Sequence, residues 1–187
     1  MKFATMLALG GISLSFASPE AVDVWFGGVS WSTRETYLSF NIDTGSLYNA
    51  FDFKDPYLRN LVKSLGTTST QLRIGGGAAN NVIYTGVGGA RGNCSTSTET
   101  LICLDASLWD DICEFAAFTG LDLVFDLSIY PRTPVNAWNA TMATSLLQYT
   151  SDRAYKLAAW ALGNEEEDVS KEPPRPYRAE FNALLAP

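Results

Sequence analysis

From residue 37 onward, apolar and polar positions switch repeatedly between a period of two and a period of about 3.6, the signature of alternating strands and helices. Tyr37-Leu38-Ser39-Phe40-Asn41-Ile42-Asp43 alternates strictly and predicts a first strand. Asp55 then stands as a helix cap with Pro56 at the first helical position. Leu58, Leu61, Val62 and Leu65 form one stripe before Gly66 ends the helix. Thr70 to Ile74 predicts a second strand, stopped by Gly75-Gly76-Gly77. Residues 78 to about 104 are rich in Gly, Asn and Thr and read as one long loop, a length that in compact domains usually serves function. Ser107 and Asp110 resemble a capping box, followed by Leu108, Ile112, Phe115 and Ala116 on one helix face and Gly120 as the stop. Leu121 to Ile129 is a third strand, about 139–152 a third helix, and Leu157 to Gly163 a fourth strand. Asn164 and Glu165 follow that strand directly, and Phe181 to Leu185 reads as the start of a further helix.

This alternation predicts an α/β fold with parallel strands. Ser39, Asn41 and Asp43 share one strand face, as do Gln71 with Arg73 and Asp122 with Asp126 and Ser128, while Leu, Phe and Ile fill the other face. A doubly wound sheet is covered by helices on both sides and should be apolar on both. One polar face therefore favours a partial (β/α)8 TIM barrel, about the first four βα units, in which Arg73 could pair with Asp126 across the lumen. A half-solvated open sheet fits the same alternation.

Composition narrows the chemistry. The chain has 187 residues, no histidine and a formal net charge of −7. Without histidine, Ser-His-Asp and Cys-His catalysis are excluded, as are histidine-bearing zinc sites. No cofactor or metal site is expected. The acidic balance argues against nucleic acid as a partner. Lys2, the apolar stretch Phe3 to Phe16 and the small residues around Ala17 read as a signal peptide over 1–18, with the domain over 19–187. No later segment reads as a stable membrane span. Two sequons, at Asn93 and Asn139, suit glycosylation on a secretory route. A Cys94–Cys103 disulfide would staple the long loop and leave Cys113 as a buried free thiol.

The C-terminal ends of barrel strands carry catalytic groups. Glu165 can protonate a departing glycosidic oxygen, and Asn164 can hold a sugar 2-hydroxyl as charge develops. Taken alone, the acidic run Glu165 to Asp168 fits a solvated loop as well. Gly75-x-Gly77-x-x-Asn80 lacks the third glycine of a dinucleotide loop and no predicted helix follows, so these glycines read as backbone turns.

The strings YLSFNID, FDFKDPYLRNLVKSLGTTSTQLRIGGGAAN, GLDLVFDLS and NAWNATMATSLLQYTSDRAYKLAAWALGNE resemble, in order and spacing, the heparanase-like glycoside hydrolases of family 79. The resemblance implies a (β/α)8 barrel with an appended β-sandwich and retaining hydrolysis of β-linked glucuronic-acid glycans or proteoglycans. It assigns Glu165 as acid/base, Asn164 as its 2-hydroxyl ligand, Asp43 as a sugar-binding residue, and Gly75, Gly76 and Gly77 as the cleft floor. Secretion or a lysosomal or vacuolar lumen is implied, with membrane association left open. Three positions depart from the family: Glu166 replaces a proline, Gly77 replaces a threonine-like residue, and no counterpart of the nucleophile is recognised in the chain. The expectation is thus an incomplete and inactive fragment of a β-glucuronidase-like enzyme, with association with a missing barrel half as one outcome. A secreted glycan-binding protein without catalysis is the alternative.

Overall fold

The computed structural model describes residues 12–15, 21–24, 38–49, 51–66, 70–87, 101–129, 132–134, 137–165, 180 and 182. Two units are separable, Met1–Arg34 and Glu35–Pro187. In the first, β1 (Ile12–Ser15) pairs antiparallel with β2 (Ala21–Val24), Ile12 opposite Val24. The predicted signal segment overlaps β1, and its other residues lie outside the described set, as do Asn93, Cys94 and most of the predicted C-terminal helix.

The second unit is built on β3 (Ser39–Asp43), α1 (Pro56–Leu65), β4 (Gln71–Gly75), β5 (Val82–Thr85), β6 (Ile102–Asp105), α2 (Ala106–Thr119), β7 (Asp122–Leu127), α3 (Thr141–Asp152) and β8 (Ala159–Leu162). Its main sheet runs β3-β4-β7-β8 with every neighbouring pair parallel. Parallel neighbours need a crossover, and α1, α2 and α3 supply it. This is a partial TIM-barrel arrangement, and the sheet does not close on itself.

Register explains the two faces. Phe40, Leu72 and Leu123 lie in one row, and Ile42, Ile74, Phe125 and Trp160 in the next. These rows bury against Trp109, Ile112, Phe115 and Leu146 from the helices. Trp109 is fully buried, lies edge-on to Phe125, stacks on Trp160 and donates its Nε1 hydrogen to Thr150 Oγ1 at 3.0 Å, which ties α2 to α3. The opposite face carries Ser39, Asn41, Gln71 and Asp122, all exposed.

Local signals set the helix ends. Asp55 Oδ1 accepts hydrogen bonds from Tyr57 N at 2.7 Å and Leu58 N at 2.9 Å, with Pro56 at the first turn. In α2 the cap is Asp105, which accepts from Leu108 N at 2.8 Å, so the helix starts ahead of the Ser107–Asp110 pair that the sequence suggested. Gly120 closes it at φ +74°, the left-handed conformation glycine adopts without penalty.

The expected long loop is corrected. It contains β5 and β6, paired parallel with Val82 opposite Ile102 and Thr85 opposite Asp105. Val82, Tyr84, Ile102 and Leu104 are buried in the same core as the main sheet. The two strands are short, and the polar, glycine-rich residues around them hid their period-two signal. Cys103 on β6 is disulfide-bonded, whereas Cys113 on α2 is free and buried.

Replacing Trp109 with Ala removes a ring from the centre of this packing and is predicted to cost about 3–5 kcal/mol, read by urea denaturation. Tyr57→Ala on the exposed side of α1 should change stability by under about 0.5 kcal/mol in the same assay. A pH effect also follows. Burial, then the negative charge of Asp110 and Glu114, pushes the Cys113 thiol up to about 12 from 9.0. Burial and the hydrogen bond to Asp110 push the Tyr155 phenol up to about 12 from 10.0. Both groups stay protonated in the folded chain where the unfolded chain loses the proton, so their contribution is complete below pH 9.0 and is lost as pH rises toward about 12. Urea midpoints measured across that range should fall, and Cys113→Ser should delay the onset of the fall.

Candidate active site

The C-terminal ends of the parallel strands bring together Asp43 on β3, Gly75 and Gly76 at the end of β4, Ser128 after β7, and Asn164 with Glu165 after β8. The polar face beneath them is organised by one side chain. Arg73 Nε donates to Asp126 Oδ1 at 3.1 Å, and its Nη2 forms an ion pair with Asp126 Oδ2. The same Nη2 donates to Asn164 Oδ1 at 2.8 Å, and Nη1 reaches Asn41 Oδ1 at 3.4 Å. Asp126 is fully buried while the Arg73 side chain is 41% exposed, so the guanidinium bridges a buried carboxylate and the open cleft.

This pair dictates the glycines. A Cβ on Gly75 would lie 2.1 Å from Asp126 Oδ2 and 2.9 Å from Arg73 Cζ, so no side chain fits beneath the guanidinium. Gly76 sits at φ +101°, and a Cβ there would meet Asp43 Oδ2 at 2.2 Å. A Cβ on Gly77 would meet nothing within 4 Å. Gly75 and Gly76 thus let the chain pass beneath two carboxylates, while Gly77 is exposed and open.

Asp43 holds its own turn. Its Oδ1 accepts from Gly45 N at 2.7 Å, and the next residue, Thr44, donates from Oγ1 to Gly75 O at 3.0 Å, binding the ends of β3 and β4 together. On the far side, Ser128 N donates to the hydroxyl of fully buried Tyr84 at 2.7 Å, and Trp138 Nε1 donates to Ser128 O at 3.1 Å. Burial and the nearby Asp126 charge push the Tyr84 phenol well above its ordinary range, so it stays protonated.

Glu165 is exposed and adopts φ +50°, uncommon for a residue with a side chain, and Gly163 before it lies at φ +67°. The turn they make follows directly on the end of β8 at Leu162. Among the described residues its carboxyl takes no hydrogen bond. Asn164 N donates to Asn80 Oδ1 at 2.7 Å, and Asn80 Nδ2 donates to Asn164 O at 2.8 Å. Asn80 was absent from the predicted site because it falls in the stretch read as a loop. Its partner lies 84 residues away, and no local pattern signals such a contact.

Of the other predicted residues, Asn139 is half-buried at the start of α3 and accepts from Thr141 N at 3.1 Å. Glu166 to Asp168 lie outside the described residues. Among the described residues no group of three His, Cys, Asp or Glu side chains is arranged for a metal ion, and no helix is long and apolar enough to cross a membrane.

The described strands form a partial parallel barrel with an amide, Asn164, and a carboxyl, Glu165, at the end of β8. The family model described as glycosyl hydrolase family 79, N-terminal domain, matches residues 30–171, and the chain belongs to that family. It is 39% identical over 70 residues to the mouse protein named inactive heparanase-2, covering 37% of this chain and 12% of that protein. It is 27% identical over 168 residues to heparanase-like protein 3 of Arabidopsis thaliana, covering 82% of this chain and 28% of that protein. With mouse heparanase it shares 42% over 62 residues, covering 33% of this chain and 11% of that protein. The chain therefore spans well under a third of the curated relatives it matches.

The glycine contacts give a sharp test. Gly75→Ala should cost about 2–3 kcal/mol, since the Arg73–Asp126 pair must move aside. Gly77→Ala should cost under about 0.5 kcal/mol in the same urea titration. Equal effects at the two positions would mean that the pair does not lie over Gly75.

Proposed function

We propose that this chain supplies the acid/base side of a retaining glycosidase cleft acting on β-linked glucuronic-acid glycans, with Glu165 as the proton donor and Asn164 as the ligand of the sugar 2-hydroxyl. The observation that carries this reading is the way Asn164 is held. Arginine can only donate, so Arg73 selects the amide orientation with Oδ1 toward itself and leaves the Nδ2 donors for a substrate oxygen. Glu165, next in the chain, is exposed at the same strand end. Asp43 at the neighbouring rim is the proposed sugar contact, above the floor formed by Gly75, Gly76 and Gly77.

A retaining pair needs its carboxyls about 5–5.5 Å apart. Among the described carboxylates on the polar face, Asp126 is paired with Arg73, Asp43 Oδ1 is taken by its own turn, and Asp122 stands at the start of β7, the end of the strand away from Glu165. The nucleophile is therefore proposed to come from another segment, and the 187-residue chain is predicted to bind glycan without cleaving it. Entry into the secretory route and glycosylation at Asn93 and Asn139 belong to the same proposal. A second reading, a glycan-binding protein with no catalytic role, is favoured by the likeness to a relative named inactive heparanase-2.

Calorimetry with methyl β-D-glucuronide and release from a chromogenic β-glucuronide test the proposal together. Binding is expected, weakened about tenfold by Asn164→Ala, with release no faster than that of Glu165→Gln. Release clearly above the Glu165→Gln level would contradict the external nucleophile, and glycoside binding indifferent to Asn164→Ala would remove the site itself. The non-catalytic reading predicts that a longer form bearing the remaining strands also releases nothing.

A further inference from the structure

We infer that Asn80 is a positioning residue that holds the turn presenting Asn164 and Glu165, a role that rests on the glycosidase reading for its chemical purpose but not for its geometry. Beyond β8 the chain leaves the sheet, and the backbone N–H and C=O of Asn164 lose the neighbouring strand that would satisfy them. The Asn80 amide takes both: its Oδ1 accepts from Asn164 N at 2.7 Å and its Nδ2 donates to Asn164 O at 2.8 Å. One planar side chain thus imitates the hydrogen-bonded pair of an adjacent strand. No other side chain of similar length offers a donor and an acceptor in that fork without charge.

The clamp is itself anchored. Asn80 lies in the short 3-10 turn Gly77–Asn81, entered through Gly76 at φ +101° and closed by Ala79 N donating to Gly76 O at 2.8 Å. Ser128 Oγ donates to Asn80 O at 3.0 Å, which connects the turn to the end of β7. Hydrogen bonds therefore connect Asn80 both to the residue after β7 and to Asn164 after β8, while the covalent chain joins its turn to β4. Its consequence is conformational. Left-handed backbone at Glu165 persists only where its surroundings over-determine it. Fixing both backbone groups of Asn164 immediately before it supplies that constraint. Arg73 holds the Asn164 side chain and Asn80 holds its backbone, so the residue is gripped from two directions.

The test compares the wild-type chain with Asn80→Ala and Asn80→Asp by amide hydrogen exchange at Asn164 and by titration with methyl β-D-glucuronide. Asn80→Ala removes both bonds and should speed exchange of the Asn164 amide about tenfold or more, while amides inside β7 keep their protection. Asn80→Asp keeps the acceptor for Asn164 N and should hold exchange within about threefold of wild type. Glycoside affinity should fall about tenfold in Asn80→Ala. Unchanged exchange at Asn164 in Asn80→Ala would overturn the clamp. If Asn80→Ala does not fold, a loss of protection in Asn80→Asp larger than tenfold would overturn it instead. A wild-type chain that binds no glycoside, yet loses Asn164 protection in Asn80→Ala, supports the clamp while counting against the glycosidase reading, so the two fail separately.

Discussion

The guanidinium of Arg73, lying across the end of β4, is the interaction on which the arrangement of this protein turns. Asp126 is fully buried, and a carboxylate in that position is tolerated only because Arg73 meets both of its oxygens. The bridge then fixes what lies below and beside it. Gly75 must lack a side chain to pass underneath, and the amide of Asn164 must turn its oxygen inward. A single charge pair between neighbouring strands thereby couples the core, the glycine floor and the residue beside the proposed acid.

That coupling accounts for the division of labour between the two sheet faces. Leu72, Ile74, Leu123, Phe125 and Leu127 carry the hydrophobic burial against the helices. The polar face adds little apolar area and is organised instead by hydrogen bonds to strand ends. Packing and site are held by different contacts, since Trp109 packs on Phe125 and Trp160 within the core and Asn80 lies outside that core. An exposed polar face with parallel edge strands agrees with the partial barrel of a family 79 N-terminal domain.

Much of this was legible in the sequence where signals are local or periodic. The four main strands and three helices follow from periodicity, with Asp55, Pro56 and Gly120 marking helix ends as expected. The Arg73–Asp126 pair was legible because both residues fall on the polar side of alternating strands. What escaped was non-local or short. The strands β5 and β6 are four residues each, and their pairing joins residues 20 positions apart in the chain, Val82 with Ile102. Asp105 displaced the expected α2 cap because its side chain, two residues before Ser107, reaches Leu108 N. Asn80 has no sequence signature at all, since an asparagine in a glycine-rich turn is ordinary until its distant partner is known.

For the proposed chemistry, the carboxyl of Glu165 and the amide of Asn164 must face the same sugar. A crystal structure of the chain with a bound β-glucuronide measures this directly. The account predicts the glycosidic oxygen within about 2.6–3.2 Å of a Glu165 carboxyl oxygen and the sugar 2-hydroxyl at Asn164 Nδ2. A sugar seated away from the ends of β4 and β8, with Glu165 turned into solvent beyond its reach, would contradict it.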